Sequence, residues 1–118
     1  MILVDTSVWI DHFRRGNATL ERLLTEGLVF MHPSVFGELA CGNLQKRSTV
    51  LQLLAALPCA RVVEHHEALL FLEARKLYGI GLGWTDIGIL ASAQLTGCGL
   101  WTLDKSLAGA AAKLRLTP

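Results

Sequence analysis

At 118 residues the chain has the length of one domain, and residues 1–118 are read as that single domain. Hydrophobic residues make up 52% of it and its mean hydropathy is +0.42, enough for a sizeable core with apolar surface left over for a partner or a second copy. A net charge of +1 excludes a strongly basic nucleic-acid binder, three scattered cysteines exclude a disulfide framework or a zinc ribbon, and no stretch is unbroken enough to span a membrane, so the expectation is a cytoplasmic protein with buried, reduced thiols.

Ile2-Leu3-Val4 reads as a buried strand running into Asp5, and Thr6 or Ser7 then caps a helix through Trp9, Ile10 and Phe13. That helix ends at Arg14-Arg15-Gly16. Asn17 caps a second helix carrying Leu20, Leu23 and Leu24, and Gly27 stops it. Leu28 to Met31 is a second strand, and His32-Pro33-Ser34 leads into a helix from Val35 to Cys41. Thr49 to Leu57 is a further helix with Val50, Leu53, Leu54 and Leu57 on one face, closed by Pro58. Arg61-Val62-Val63 is expected as a third strand and His66 to Tyr78 as a long helix. After a flexible Gly79, Gly81, Gly83 connection, Thr85 caps a helix from Asp86 to about Leu95. Gly99 to Leu103 is the fourth strand, ending at Asp104. An Ala-rich helix follows to Lys113, and Leu114-Arg115-Leu116 suggests a last strand. Strands alternating with helices imply an α/β fold with a mainly parallel sheet of four to five strands between helical layers.

Four of the ten acidic residues stand apart from basic neighbours. No Lys or Arg follows Asp5 until Arg14. Glu38 is the only charged residue between Gly27 and Gln45, and Asp86 the only one between Leu77 and Leu103. Asp104 ends an apolar strand, although Lys105 adjoins it. In a parallel α/β sheet, strand ends and helix starts share an edge. Asp5 and Asp104 end strands, Asp86 opens a helix, and Glu38 lies in the first turns of one. From Asp86 about ten helical residues travel roughly 15 Å away from that edge, and the strand from Gly99 returns at about 3.3 Å per residue.

Four acids meeting without four bases would repel unless some are protonated or a multivalent cation sits among them. An all-carboxylate set favours Mg²⁺ or Mn²⁺ over Zn²⁺, and such sites suit metal-assisted phosphodiester hydrolysis. The competing explanation makes each acid an ordinary helix cap. His12, His32, His65 and His66 lack metal-ligand spacing and read as surface or core-edge residues. Trp84, near Asp86, could stack an unpaired base, but packing against the core or a dimer mate is favoured.

At these positions the chain resembles PIN-domain ribonucleases of the VapC toxin type. The resemblance rests on Val4-Asp5-Thr6-Ser7, Phe36-Gly37-Glu38-Leu39, Thr85-Asp86-Ile87 followed by Ala91, and Thr102-Leu103-Asp104. It implies an α/β/α sandwich that cuts RNA with Mg²⁺ or Mn²⁺, usually as a homodimer restrained by a VapB-type antitoxin. It also implies Asp5 as the central metal ligand, with Asp86 and Asp104 completing the site. Glu38 would bind or orient metal-bound water. Thr6, Ser7 and Thr102 would orient carboxylates or waters, with capping and turn-making as their plainer role. Arg14, Arg15, Lys46-Arg47 and Lys105 could touch phosphates, Lys105 being favoured because it adjoins Asp104.

Other classes are weakened by residues in view. An aspartyl phosphatase normally places a second Asp two residues after the first, where Ser7 stands, and a receiver domain needs an acidic pair where Thr6 follows. A non-catalytic binding module of the same fold, or a nuclease of RNA processing, stays open; activity separates them.

Overall fold

The computed structural model describes residues 1–118. Its sheet has three parallel strands, with β1 (Ile2–Val4) between β2 (Val29–Phe30) and β3 (Gly99–Trp101). Leu3 pairs with Phe30 on one side and with Leu100 on the other. Leu3, Val4, Val29 and Leu100 are buried, as parallel strands covered on both faces require. Seven helices complete the fold: α1 (Thr6–Arg15), α2 (Ala18–Thr25), α3 (Pro33–Cys41), α4 (Arg47–Ala55), α5 (His65–Ala74), α6 (Trp84–Thr96) and α7 (Lys105–Lys113). Apolar side chains from strands and helices merge into one cluster of 24 buried residues, from Leu3 to Leu116.

The expected four to five strands are therefore three. At 61–63 no strand forms, because pairing beside β2 happens earlier. Met31 donates to the Pro58 carbonyl and accepts from the Ala60 amide, both at 2.8 Å, making a single bridge to Cys59. Arg61 then turns its amide to Thr96 Oγ1 at 2.9 Å. At 114–116 one bond, Leu100 amide to Leu116 carbonyl at 2.6 Å, reaches β3 and no ladder follows.

Other boundaries shift for local reasons. Helix α5 ends at Ala74, and Lys76 takes a left-handed φ of 53° that folds Leu77 back into the core. Leu53 is 66% exposed, although expected on the same helix face as the buried Leu54. Cys41 and Cys59 are exposed; only Cys98 is buried. The glycine connection before α6 is shaped rather than loose. Gly81 has φ +88°, and a Cβ there would approach Ser106 Oγ to 3.2 Å.

His32 is not a surface residue. It caps α3, with Nδ1 accepting the Ser34 amide at 3.1 Å, and is 6% exposed. Since Nδ1 accepts, Nε2 carries the proton and donates to the buried Ser92 Oγ at 3.0 Å. Burial holds its pKa below the ordinary value. The native state thus resists a proton that the unfolded chain takes up at about pH 6.5. Stability from this residue is complete above that pH and is lost as pH falls through it toward the native value. Thermal melts from pH 8 to 5 should show this loss, and His32→Asn, which keeps a capping oxygen, should flatten it.

Candidate active site

The strand order places β1 at a switch point: the chain leaves it for β2 on one side and returns to β3 on the other. Ligands of such sheets bind beyond the strand ends at that point. Asp5 stands there, its amide held by the Trp101 carbonyl at 2.9 Å, and it is the residue before α1. Its carboxylate does not cap the helix, and neither Thr6 nor Ser7 occupies the capping position. Instead Oδ2 accepts Ser7 Oγ at 2.8 Å and Thr102 Oγ1 at 2.7 Å. With both hydroxyl protons so used, the 3.2 Å approach of Ser7 Oγ to Thr102 Oγ1 is a contact rather than a third bond. Each hydroxyl also accepts an amide, Leu103 onto Ser7 and Asp104 onto Thr102, both at 3.0 Å. The β3 exit is thereby locked to the α1 entrance around one buried carboxylate.

The other three acids reach the same edge by different elements. Glu38, on α3, accepts Thr6 Oγ1 through Oε1 at 3.0 Å, which ties α3 to α1. Asp104 caps α7, its Oδ2 accepting the Leu107 amide at 2.9 Å, so the plain capping role is real for this residue. Asp86 lies in the first turn of α6, which begins at Trp84 with Gly83 before it, not at a Thr85 cap. Asp86 Oδ2 reaches back to the Gly83 amide at 3.0 Å. Burial pushes the Asp86 carboxyl up, and the charges of Asp5 and Asp104 push the same way, against the Gly83 hydrogen bond. Asp86 thus lies near enough to Asp5 and Asp104 for their charges to act on it.

The four carboxylates share a pattern. Each has one oxygen fixed by protein donors and one that accepts no side-chain or backbone hydrogen bond, and none is paired with a Lys or Arg. No imidazole or thiolate joins them, so the donor set suits a hard divalent cation. The acids are spaced more widely than a closed cage: only Glu64, His66 and Glu67, all exposed on or beside α5, bring three ligand atoms within 4.8 Å of one another. Four like charges stand apart when uncompensated, and Mg²⁺ keeps several of its waters, so an open site fits it.

The basic residues divide. Arg15 is engaged by Asp11 at 2.6 Å, and Arg47 donates to the Ala40 and Gly42 carbonyls at 2.6 and 3.2 Å. Arg14, Lys46 and Lys105 are exposed and make no salt bridge. Trp84 packs against neither core nor pocket: it is 46% exposed, with its ring 5.0 Å from that of His65. The Ser7–Thr102 clasp on Asp5 joins residues 95 positions apart.

The chain matches the family pattern of the PIN domain over residues 2–113 and belongs to that family, among its VapC-type ribonucleases. It is similar to Ribonuclease VapC32 of Mycobacterium tuberculosis, in strains CDC 1551 / Oshkosh and ATCC 25618 / H37Rv. Each is 47% identical over 114 residues, covering 96% of this chain and 92% of the relative.

Proposed function

We propose that the chain, as a VapC-type ribonuclease and toxin, hydrolyses RNA phosphodiester bonds at the pocket of Asp5, Glu38, Asp86 and Asp104 with Mg²⁺ or Mn²⁺. The observation that carries this is the set of four unpaired carboxylates, each half-anchored and half-free. Asp5, Asp86 and Asp104 offer their free oxygens to the cation. When bound, the cation supplies positive charge for the attacked phosphate and makes a water more acidic. Glu38, on the exposed side, orients the attacking water and accepts its proton through Oε2. Attack is in line: the oxygen–phosphorus bond forms from the water, the bond from phosphorus to the 3′ oxygen breaks, and that oxygen takes a proton from solvent water, so the products carry a 5′-phosphate and a 3′-hydroxyl. Ser7, Thr102 and Thr6 hold the carboxylates at fixed angles throughout. Lys105, at the start of α7 beside Asp104, meets the RNA backbone, as does Arg14; Arg15, engaged by Asp11, contributes less.

Residues 1–118 act as one PIN domain around one core. No helix is long and apolar enough to cross a membrane, and we place the protein in the cytoplasm, where unpaired thiols stay reduced. Its inhibitor is a VapB-type antitoxin. It works as a homodimer through the exposed apolar residues concentrated between Leu69 and Trp84, among them Leu70, Tyr78 and Ile80.

Metal binding has a stability signature. Burial and neighbouring charges raise the Asp86 pKa, so ionising it costs native stability. The cost is absent in acid, appears as pH rises above the ordinary carboxylate range, and is complete above the native value. In EDTA at pH 7.5, Asp86→Asn should therefore melt at a higher temperature than wild type. Millimolar Mn²⁺ should raise the wild-type melting temperature and leave that of the variant nearly unchanged. A wild-type protein indifferent to Mn²⁺ in these melts would count against the metal site.

A further inference from the structure

Beside the carboxylates lies a cavity of about 600 Å³ between α1 and the loop joining α3 to α4. Of the four acids Glu38 alone forms part of its wall, so the cavity adjoins the candidate active site on that side. One side is apolar: Ile10 and Phe13 of α1, each 39% exposed, face Val50 of α4. These residues continue the α1 face from Thr6, the residue that holds Glu38, over about 10 Å of helix. The rim is cationic, with Arg14 and Lys46, neither of which has an acidic partner. The side-chain amides of Asn43 and Gln45 also line it.

The loop wall is built in advance. Arg47 pins it by donating to the Ala40 and Gly42 carbonyls. Lys46 sits in a left-handed conformation, φ 50° and ψ 46°, which a non-glycine residue adopts at a cost. That conformation sets the only uncommitted cation of the loop at the cavity mouth.

Resting on the ribonuclease reading above, we propose that this cavity is a base pocket for an unpaired nucleotide flanking the scissile phosphate. The base stacks on Phe13 and packs on Ile10. Arg14 and Lys46 neutralise the adjoining phosphate, and the amides of Asn43 and Gln45 meet the polar edge of the base. Charge selects this occupant: a purely apolar segment leaves two cations and two amides unanswered, whereas a nucleotide presents a π-face, an anion and hydrogen-bonding edges together. A base can enter only if unstacked, so the pocket directs cleavage to loops and single strands rather than duplex.

The test uses Asp5→Asn protein, which should bind without cutting, and a fluorescein-labelled single-stranded RNA of mixed sequence. Adding Phe13→Ala should weaken binding about tenfold. Adding Arg14→Ala and Lys46→Ala should weaken it and make its salt dependence shallower, by about 0.7 in logarithmic slope for each phosphate no longer neutralised. Arg14 and Lys46 are at the surface, so their variants should melt near the parent, and Arg14→Lys should retain most of the affinity. Because the Phe13 ring lies 6.0 Å from that of the buried Trp9, Phe13→Leu, which keeps an apolar side chain there but no π-face, is run beside Phe13→Ala and should lose affinity with a smaller change in melt. With Asp5 intact, Phe13→Ala should raise KM and change kcat little. If these variants bind and cut RNA like their parents, the base pocket is wrong and the ribonuclease reading stands. If they lose affinity only for a co-purifying protein inhibitor, the cavity is a protein groove and the inference is overturned. If Asp5→Asn protein does not bind RNA and the wild type does not cut it, the functional reading fails with it.

Discussion

Asp5→Asn should reduce RNA cleavage by at least about 10³-fold while leaving the fold intact. Asparagine keeps the size of the side chain, and its carbonyl oxygen can still accept the Ser7 and Thr102 hydroxyls that now converge on Oδ2. The clasp between β3 and α1 therefore survives. What disappears is the negative charge at the one carboxylate that is both buried and central to the sheet's switch point. The amide group would also place a donor where the free oxygen faces the pocket, which repels a cation. Circular dichroism melts beside a cleavage assay separate the two effects: an unchanged melt with abolished activity is expected. Full activity in purified Asp5→Asn protein would remove Asp5 from the chemistry.

Thr102→Val should lower cleavage by about 10- to 100-fold, the usual effect of removing a group that orients a metal ligand. Valine matches threonine in shape but neither donates to Asp5 Oδ2 nor accepts the Asp104 amide, so both bonds of 2.7 and 3.0 Å disappear. Two acids lose their bearing at once, Asp5 through its side chain and Asp104 through its backbone. The stability cost should be modest, about 1 kcal/mol, because the Asp104 amide lies near solvent. Thr102→Ser restores the hydroxyl and should recover most of the activity. A merely structural Thr102 predicts the reverse: normal activity in Thr102→Val protein that stays folded, with only the melt affected.

How far the sequence discloses this site depends on what positions each residue. Asp5 follows a three-residue apolar run, and a strand that short and buried places its next residue at the sheet edge. Asp86 sits within an uncharged stretch that a helix must begin, and Glu38 is similarly isolated. Their placement at one edge follows from topology, which alternation of strands and helices already constrains. The clasp of Ser7 and Thr102 is a different matter. A serine after a strand serves equally as a cap, and only the register of β1 against β3 turns it toward Thr102. The same limit explains the misplaced third strand. Val62 and Val63 have strong strand propensity, but pairing is decided by which backbone groups lie beside Met31, and those belong to Pro58 and Ala60. His32 shows the limit for burial: a lone histidine before proline looks like loop, yet Ser92, 60 residues away, gives it a buried partner. The cavity was out of reach for a related reason, since α1, the loop and α4 each supply a part.

The proposed chemistry stands on the free carboxylate oxygens holding a divalent cation that cuts RNA. A time course on an end-labelled, structured RNA would test this, using inhibitor-free protein in Mg²⁺, Mn²⁺ or EDTA, with Asp86→Asn protein alongside. Cutting in Mg²⁺ or Mn²⁺ that stops in EDTA, is absent from the variant and leaves 3′-hydroxyl ends is the predicted result. Equal cutting by wild type and variant, or cutting that persists in EDTA, would contradict it.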